Sequence, residues 1–120
     1  MDKRQHLRVP FHGKAKVSTE ARSVEVTISN MSLGGLLLHT KKQFDLGKEV
    51  TVHISGTHRG KSFREKVFGR IVVTHRSPDG NAYGLQFSSY LDRQQQPALF
   101  SWLSGRQKKA ISSFLRDTSA

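Results

Sequence analysis

The sequence predicts an all-β-dominated fold, an antiparallel barrel or sandwich followed by a C-terminal helix. From Lys14 to about Phe87 the apolar residues recur mostly at every second position, the spacing of strands with one buried face. Segments rich in Gly, Asp, Asn or Ser separate these runs, and no helical crossover lies between them. With 120 residues, the chain has room for one modest core and not for two.

Short apolar runs define the predicted strands. Gly69 interrupts the longest stretch, from Phe63 to Thr74, and indicates a bulge or a bend where a barrel turns its corner. The apolar residues of the successive runs are Ala15 and Val17; Val24, Val26 and Ile28; Leu36 and Leu38; Val50, Val52 and Ile54; Val67, Ile71 and Val73; and Tyr83, Leu85 and Phe87.

After Phe87 the apolar spacing changes to three, four and seven residues, which places these side chains on one helical face. Pro97 suits the first turn of a helix, and Gly105 is expected to divide the helical region or to end its first piece. We expect residues 91–120 to pack on a barrel formed by residues 13–90. The helical face comprises Leu99, Phe100, Leu103, Ala110, Ile111, Phe114 and Leu115.

Composition narrows the possible partners. Twenty Lys and Arg against nine Asp and Glu give a formal charge of +11, which favours an anionic partner such as nucleic acid, a membrane surface or a phosphorylated small molecule. The chain has no cysteine, no signal-peptide pattern and no apolar window long enough for a bilayer, so we expect a soluble cytoplasmic protein. The six histidines have no metal-ligand spacing, and no catalytic motif is present. We therefore predict neither an enzyme nor a metal site, and no cofactor.

Two arginines four residues apart, Arg4 and Arg8, lie in a basic N-terminal segment that also contains Lys3. Guanidinium groups bind phosphate through two parallel hydrogen bonds and stack on flat rings, so such a pair can hold a nucleotide by both its charge and its base. We expect residues 1–12 to form a mobile arm that carries this arginine motif. Taken alone, the pair also fits a terminus that is merely solubilising or that contacts RNA or a membrane non-specifically.

A long polar turn is predicted from Asn30 to Gly35, between two strands. A plain hairpin needs only two turn residues, whereas this segment has six, with side-chain acceptors at Asn30 and Ser32 and adjacent glycines at Gly34 and Gly35. Glycine lets a ligand approach the backbone where a Cβ atom would collide. The segment predicts a binding loop, and an Asx turn with glycines at positive φ is the alternative interpretation.

Together the two motifs resemble those of the PilZ domain family. The pattern R-x-x-x-R followed by [D/N]-x-S-x-x-G is complete, and a later Gly-x-x-Phe element is matched by residues 84–87. The resemblance implies a six-stranded antiparallel barrel with a C-terminal helix. The residues that match the two motifs are Arg4, Arg8, Asn30, Ser32 and Gly35.

The resemblance implies a receptor for the bacterial second messenger cyclic di-GMP. On the family pattern, Arg4 and Arg8 meet phosphates and guanine faces, while Asn30 and Ser32 bond to guanine. Gly35 is the close-approach position, Gly34 a small neighbour, and Lys3 occupies a position that influences whether one ligand or a stacked pair is bound. Ligand would order the arm and create a surface for an unidentified downstream protein, in control of motility, pili, exopolysaccharide or biofilm formation.

Two alternatives remain open from the sequence. A small basic barrel with aromatic side chains also suits an OB-like module for single-stranded nucleic acid, in which Phe11 and Phe68 would be exposed for stacking. Most aromatic residues, however, fall at positions where the core needs filling. The other alternative is a PilZ-type adaptor that binds no nucleotide, a group whose members commonly lack the arginine motif that is present here.

Overall fold

The chain forms a closed six-stranded β-barrel with a helix after the last strand. A computed structural model of the protein describes residues 9–106, except for the side chain of His12. Within that range every neighbouring pair of strands is antiparallel, and the ring closes between β1 and β4 in the order β1-β2-β3-β6-β5-β4. The predicted fold class is confirmed. The strands are β1 (Val9–Ser18), β2 (Ser23–Met31), β3 (Gly35–Thr40), β4 (Glu49–His58), β5 (Lys61–Ser77) and β6 (Gly80–Phe87).

The first strand begins earlier than the predicted start of the barrel at residue 13. Val9 pairs with Met31 of β2, and the side chains of Val9 and Phe11 are both buried. Residues 9–12, assigned to the arm from the sequence, therefore belong to the barrel. Their apolar side chains continue the inward alternation of β1 toward the N-terminus. Lys3, Arg4 and Arg8 lie outside the described residues.

The barrel encloses one apolar core, built from the inward positions that the alternation predicts except Val73, which is exposed because a register shift separates it from Ile71. Burying a side chain the size of Val or Leu contributes about 1.5–3 kcal/mol relative to leaving it exposed, so this layer is the main source of stability. Tyr83 is the largest fully buried side chain, and its hydroxyl accepts a hydrogen bond from the Phe44 N–H and donates to the Lys42 carbonyl. Other fully buried members are Val17, Met31, Leu36, Leu38, Val52, Ile54, Ile71 and Leu85.

Register shifts curve the sheet on one side of the barrel. Five residues of β1 (Val9 to Gly13) lie opposite four of β2 (Ile28 to Met31), because Met31 pairs with Val9 and Ile28 with Gly13. The same four residues of β2 lie opposite three of β3, Leu36 to Leu38. At this point β1 has one residue more than β2, and β2 has one more than β3. Such β-bulges bend the sheet locally around Ser29.

The predicted bulge at Gly69 is wrong. Gly69 pairs regularly with Val50 and Phe87, and the register shift in β5 falls between Ile71 and Val73. Glycine is needed at position 69 for a different reason, because a Cβ atom there would lie 2.6 Å from the carbonyl oxygen of Gln86. The residue thus allows two backbones to approach closely, which is the other meaning of glycine inside a strand.

Helix α1 has its described part at residues 97–106, and Pro97 occupies the first turn, as predicted. The helix continues through Gly105 to at least Arg106, so Gly105 neither ends nor divides the described part. Leu99 and Leu103 are buried in the barrel core, and they fix the helix on that surface. Within residues 9–106, no helix has both the length and the apolar character that a membrane span requires.

The start of α1 is capped by a side chain from β5. The Glu65 carboxylate accepts hydrogen bonds from the N–H groups of Ala98 and Leu99, at 2.8 and 2.9 Å. These N–H groups have no partner inside the helix, and the positive end of the helix dipole favours a carboxylate there. The Gln96 amide adds a second link by donating to the Lys66 carbonyl at 3.0 Å. Polar bonds to β5 therefore hold the helix start, in addition to its apolar contacts.

We expect Glu65→Ala to lower the free energy of unfolding by about 2 kcal/mol, the scale of losing hydrogen bonds to a charged group. Urea denaturation followed by circular dichroism measures this change. Glu49→Ala is the matched control, because Glu49 forms an exposed ion pair with Arg70 and such pairs contribute about 0–1 kcal/mol. Equal losses in the two variants would contradict the role assigned to Glu65.

Candidate ligand-binding site

The turn between β2 and β3 contains three residues, Ser32 to Gly34, rather than the six predicted. Asn30 lies within β2, where it pairs with Pro10 on one side and Leu37 on the other. Gly35 is the first residue of β3 and pairs with Gln86. The predicted length of the turn was wrong because Asn30, Met31 and Gly35 form backbone pairs with neighbouring strands and so belong to β2 and β3. The structure nevertheless brings the four described motif residues together at one end of the barrel.

The hydroxyl of Ser32 organises the turn. Its side chain is only 6% exposed, and its Oγ atom accepts from the Gly34 N–H at 3.3 Å and lies 3.4 Å from the Gly35 carbonyl oxygen, to which it donates. The Ser32 N–H donates to the same carbonyl at 2.8 Å. A serine hydroxyl that bonds to backbone two and three residues ahead stabilises a tight turn. This structural contribution was not evident from the motif alone.

Backbone bonds attach the turn to the chain around the end of β6. The Gly34 carbonyl accepts from the Phe87 N–H at 2.8 Å, and the Leu33 carbonyl accepts from the Leu91 N–H at 3.0 Å. Phe87 is the last residue of the Gly-x-x-Phe element noted in the sequence. The two sequence elements that resemble the family are therefore in direct contact, although more than fifty residues separate them in the chain.

Gly35 is required by the neighbouring strand. A Cβ atom at this position would lie 2.4 Å from the carbonyl oxygen of Leu85, a distance at which one of the two backbones would have to move. Positive φ does not account for this glycine, since the described glycines with positive φ are Gly47, Gly60 and Gly80. The alternative interpretation, in which Gly34 and Gly35 satisfy positive φ angles, is therefore wrong. A requirement of this kind depends on β6 and could not be read from the turn itself.

Asn30 is held at the surface by the bulge in β2. Ile28 and Met31 are buried, whereas the two residues between them, Ser29 and Asn30, are both partly exposed. The register shift lets two consecutive side chains turn away from the core, which an uninterrupted strand does not allow. Ser29 bonds to the ring of His39 across the sheet, with 2.9 Å between its Oγ and the histidine Nε2.

The beginning of β1 lies beside the turn. Val9 pairs with Met31, the residue that directly precedes Ser32. Arg8 directly precedes Val9 in the chain, and together with Arg4 and Lys3 it lies outside the described residues. The described part of the site thus comprises Asn30, Ser32, Gly34 and Gly35, next to the point at which the N-terminal segment joins the barrel.

Only one of the two aromatic side chains that the nucleic-acid interpretation requires to be exposed is exposed. Phe11, predicted to be exposed, is buried and meets Trp102 of α1 edge to face, with 5.0 Å between the ring centroids. Phe68 is 52% exposed, as predicted. The prediction for Phe11 was wrong because β1 extends beyond Lys14 and includes Phe11 at an inward position. Within residues 9–106, no group of three or more His, Cys, Asp or Glu side chains could hold a metal ion.

The structure thus defines a class of small β-barrel domain. In this class six strands close the barrel, and the turn organised by Ser32 is hydrogen-bonded to the strand that ends in the Gly-x-x-Phe element. The sequence profile of the PilZ domain matches residues 2–105, and the chain belongs to this family. No match was found among curated protein sequences.

Solved structures share this fold. The inhibitor of motility MotI/DgrA from Bacillus subtilis superposes with a TM-score of 0.74 at 17% identity, over 91% of this chain and 53% of that one, so the present chain spans about half of its length. The PilZ domain of YcgR from Escherichia coli, determined with cyclic di-GMP, superposes with a TM-score of 0.67 at 11% identity, over 93% and 97% of the two chains. At these identities the likeness concerns the fold.

We expect Gly35→Ala to lower the free energy of unfolding by about 2 kcal/mol or more, because the new methyl group would overlap the Leu85 carbonyl. Thermal or urea denaturation provides the measurement. Gly105→Ala is the control with the opposite sign. A Cβ atom at position 105 meets no atom within 4 Å, and alanine is favoured over glycine in a helix by about 1 kcal/mol. A Gly35→Ala protein as stable as wild type would contradict the packing role of Gly35.

Proposed function

We propose that the protein is a cytoplasmic receptor for cyclic di-GMP that acts on a protein partner in trans. The observation that carries this proposal is the pairing of Val9 with Met31, which brings the chain just after the arginine motif against the chain just before Ser32. Membership of the PilZ family and the shared fold with the YcgR domain solved with cyclic di-GMP support the same ligand.

Chain connectivity puts the turn within reach of both arginines. Arg8 is bonded directly to Val9, and Arg4 is four residues earlier, a separation that an extended chain spans in at most about 14 Å. Two guanidinium groups on such a segment can meet the two phosphodiester groups of the ligand and stack on its guanines. Lys3, next to Arg4, adds a third cation. We propose that it influences whether one ligand molecule or a stacked pair binds.

The turn supplies the groups that would read a guanine base. Asn30 is partly exposed on β2, and its amide group contains one acceptor oxygen and two donor hydrogens. The Ser32 hydroxyl is bonded to the turn backbone, but its oxygen retains a second lone pair that can accept from a base N–H. Gly34 and Gly35 leave the adjacent backbone without side chains. We therefore assign base recognition to Asn30 and Ser32 together, and assign to Ser32 the additional task of maintaining the turn.

Ligand binding provides a route to signalling. Without a counter-ion the arginines repel one another, and a dianion would draw residues 1–8 onto the barrel beside the turn. The ordered segment would then form part of a new surface for a downstream protein. We propose that this partner belongs to motility, pilus, exopolysaccharide or biofilm control, in line with the motility inhibitor that shares the fold. The nucleic-acid alternative is less well supported, because Phe11 is in the core.

Isothermal titration calorimetry with cyclic di-GMP, GMP and single-stranded RNA tests the ligand. We expect the cyclic dinucleotide to bind more tightly than either competitor, because it alone matches two cations and a base-reading turn at once. RNA that binds as tightly as cyclic di-GMP would contradict the proposal and favour the nucleic-acid alternative.

Substitutions within the motifs test the assigned residues. We expect Arg4→Ala, Arg8→Ala, Asn30→Ala and Ser32→Ala each to weaken cyclic di-GMP binding by about 1–3 kcal/mol, the scale for losing a charge-assisted or buried hydrogen bond. Arg76→Ala is the control, because Arg76 is exposed near the end of β5, opposite Asn81, at the other end of the barrel. Equal affinities for the Arg8→Ala and Arg76→Ala proteins would contradict the role of the arginine motif.

Asn30→Asp tests whether the side chain at position 30 accepts hydrogen bonds from the guanine base or donates to it. A carboxylate can accept from two guanine N–H groups, whereas the amide has one acceptor oxygen, so we expect cyclic di-GMP to bind more tightly by about 1 kcal/mol. The same calorimetric titration measures the change. Weaker binding by the Asp variant would indicate that the Asn30 amide acts as a donor.

A further inference from the structure

A basic groove crosses the outer surface of the barrel, at the end away from the β2–β3 turn. It is an open concavity of about 960 Å³ over the outer faces of β1, β2 and β4. It reaches the β1–β2 hairpin at Ser18 and Ser23 and the end of β3 at Thr40. The described motif residues Asn30, Ser32, Gly34 and Gly35 are not among its lining residues.

The charged residues that line this groove are mostly cationic. Five of its lining residues are lysine or arginine, and one is acidic. Within residues 9–106, none of the five cations takes part in an ion pair. Their positive potential is therefore not compensated by the fold, and a concave surface concentrates such a potential. The five cationic residues are Lys14, Lys16, Lys41, Lys42 and Arg64, and the acidic residue is Glu25.

The sheet register shows that this surface is continuous. Lys16 lies opposite Glu25 of β2 on one side and opposite His53 of β4 on the other, and His53 lies opposite Lys66 of β5. This row crosses four neighbouring strands, a width of about 14 Å at the usual strand spacing. A second row begins with Lys14, which lies opposite Thr27. A surface of this width accommodates about four residues of extended chain or about nine of a helix.

We propose that the groove binds an acidic segment of a partner protein. Carboxylate side chains complement the five cations, and hydroxyl groups such as those of Ser18, Ser23 and Thr27 can bond to carboxylates or to peptide groups. The proposal concerns a different surface from the nucleotide site and does not depend on cyclic di-GMP binding.

Two features favour a polypeptide over nucleic acid. The groove has no Phe, Tyr or Trp among its lining residues, whereas sites for single-stranded nucleic acid typically stack bases on such side chains. Glu25 also lies in the groove, opposite Lys16. A uniform polyphosphate would meet this carboxylate as a like charge. A polypeptide can place an N–H group or a basic side chain there and put its carboxylates on the surrounding lysines.

Fluorescence anisotropy with two labelled probes of equal charge tests the proposal. One probe is the terminally blocked peptide (Glu-Ser)6, with six carboxylates, and the other is heptauridylate, with six phosphodiesters. We expect the wild-type protein to bind the peptide more tightly than the uridylate. Tighter binding of the uridylate would overturn the proposal in favour of nucleic acid.

Two triple variants with the same net charge distinguish binding in the groove from non-specific electrostatic attraction to the protein. The groove variant Lys14→Gln/Lys16→Gln/Arg64→Gln should bind the peptide about tenfold more weakly than wild type, from three modest charge contacts. The control Lys48→Gln/Lys61→Gln/Arg106→Gln removes two lysines and one arginine at exposed positions outside the groove, and it should change the affinity by less than about threefold. Equal losses in the two variants would overturn the proposal.

Glu25→Gln gives an independent measurement with the opposite sign. Removing the acidic group should strengthen binding of the (Glu-Ser)6 peptide by about twofold, and unchanged or weaker binding would count against the groove. All titrations are repeated with cyclic di-GMP present. A protein that fails to bind the nucleotide but still discriminates between the two triple variants would disprove the receptor function and leave the groove proposal intact.

Discussion

Three backbone hydrogen bonds determine the position of the candidate site, because they leave the β2–β3 turn little freedom to move. The Leu33, Gly34 and Gly35 carbonyls accept from Leu91, Phe87 and Ser32, respectively. Each bond contributes only about 1 kcal/mol net, but the buried groups would be costly to leave without partners. The turn, the end of β6 and the segment leading to α1 therefore depend on one another. Since α1 in turn reaches into the core through Leu99 and Leu103, the site is part of the main packing unit.

The sequence was sufficient to predict every strand, because a closed barrel buries alternate side chains and the period of two is visible without knowledge of the partners. It was not sufficient to predict strand register. The bulge near Ile71 and the three-residue turn both depend on which residues face each other across the sheet. The importance of Gly35 depends on the Leu85 carbonyl, fifty positions away in the chain. Phe11 was misplaced for a simpler reason, since the apolar alternation extends further toward the N-terminus than Lys14.

The two ends of the barrel have different chemical characters, although the same strand contributes to both. At one end β2 presents Asn30 beside a turn in which backbone groups are closely packed. At the other end it presents Glu25 and Thr27 on an open surface dominated by lysine. The core between them is filled with large side chains from every strand, and such packing is rigid. A small barrel can therefore keep two surfaces at a constant separation without a second domain.

The bulge at Ser29 makes the number of residues in β2 as important as their chemical identity. Ile28 and Met31 face the interior only because one extra residue stands between them. A chain shortened by one residue at this point would restore strict alternation with Ile28 and Met31 still inward, but only one side chain between them would then face outward in place of both Ser29 and Asn30. The length of β2 at this point therefore determines whether two neighbouring side chains, rather than one, face outward beside the turn.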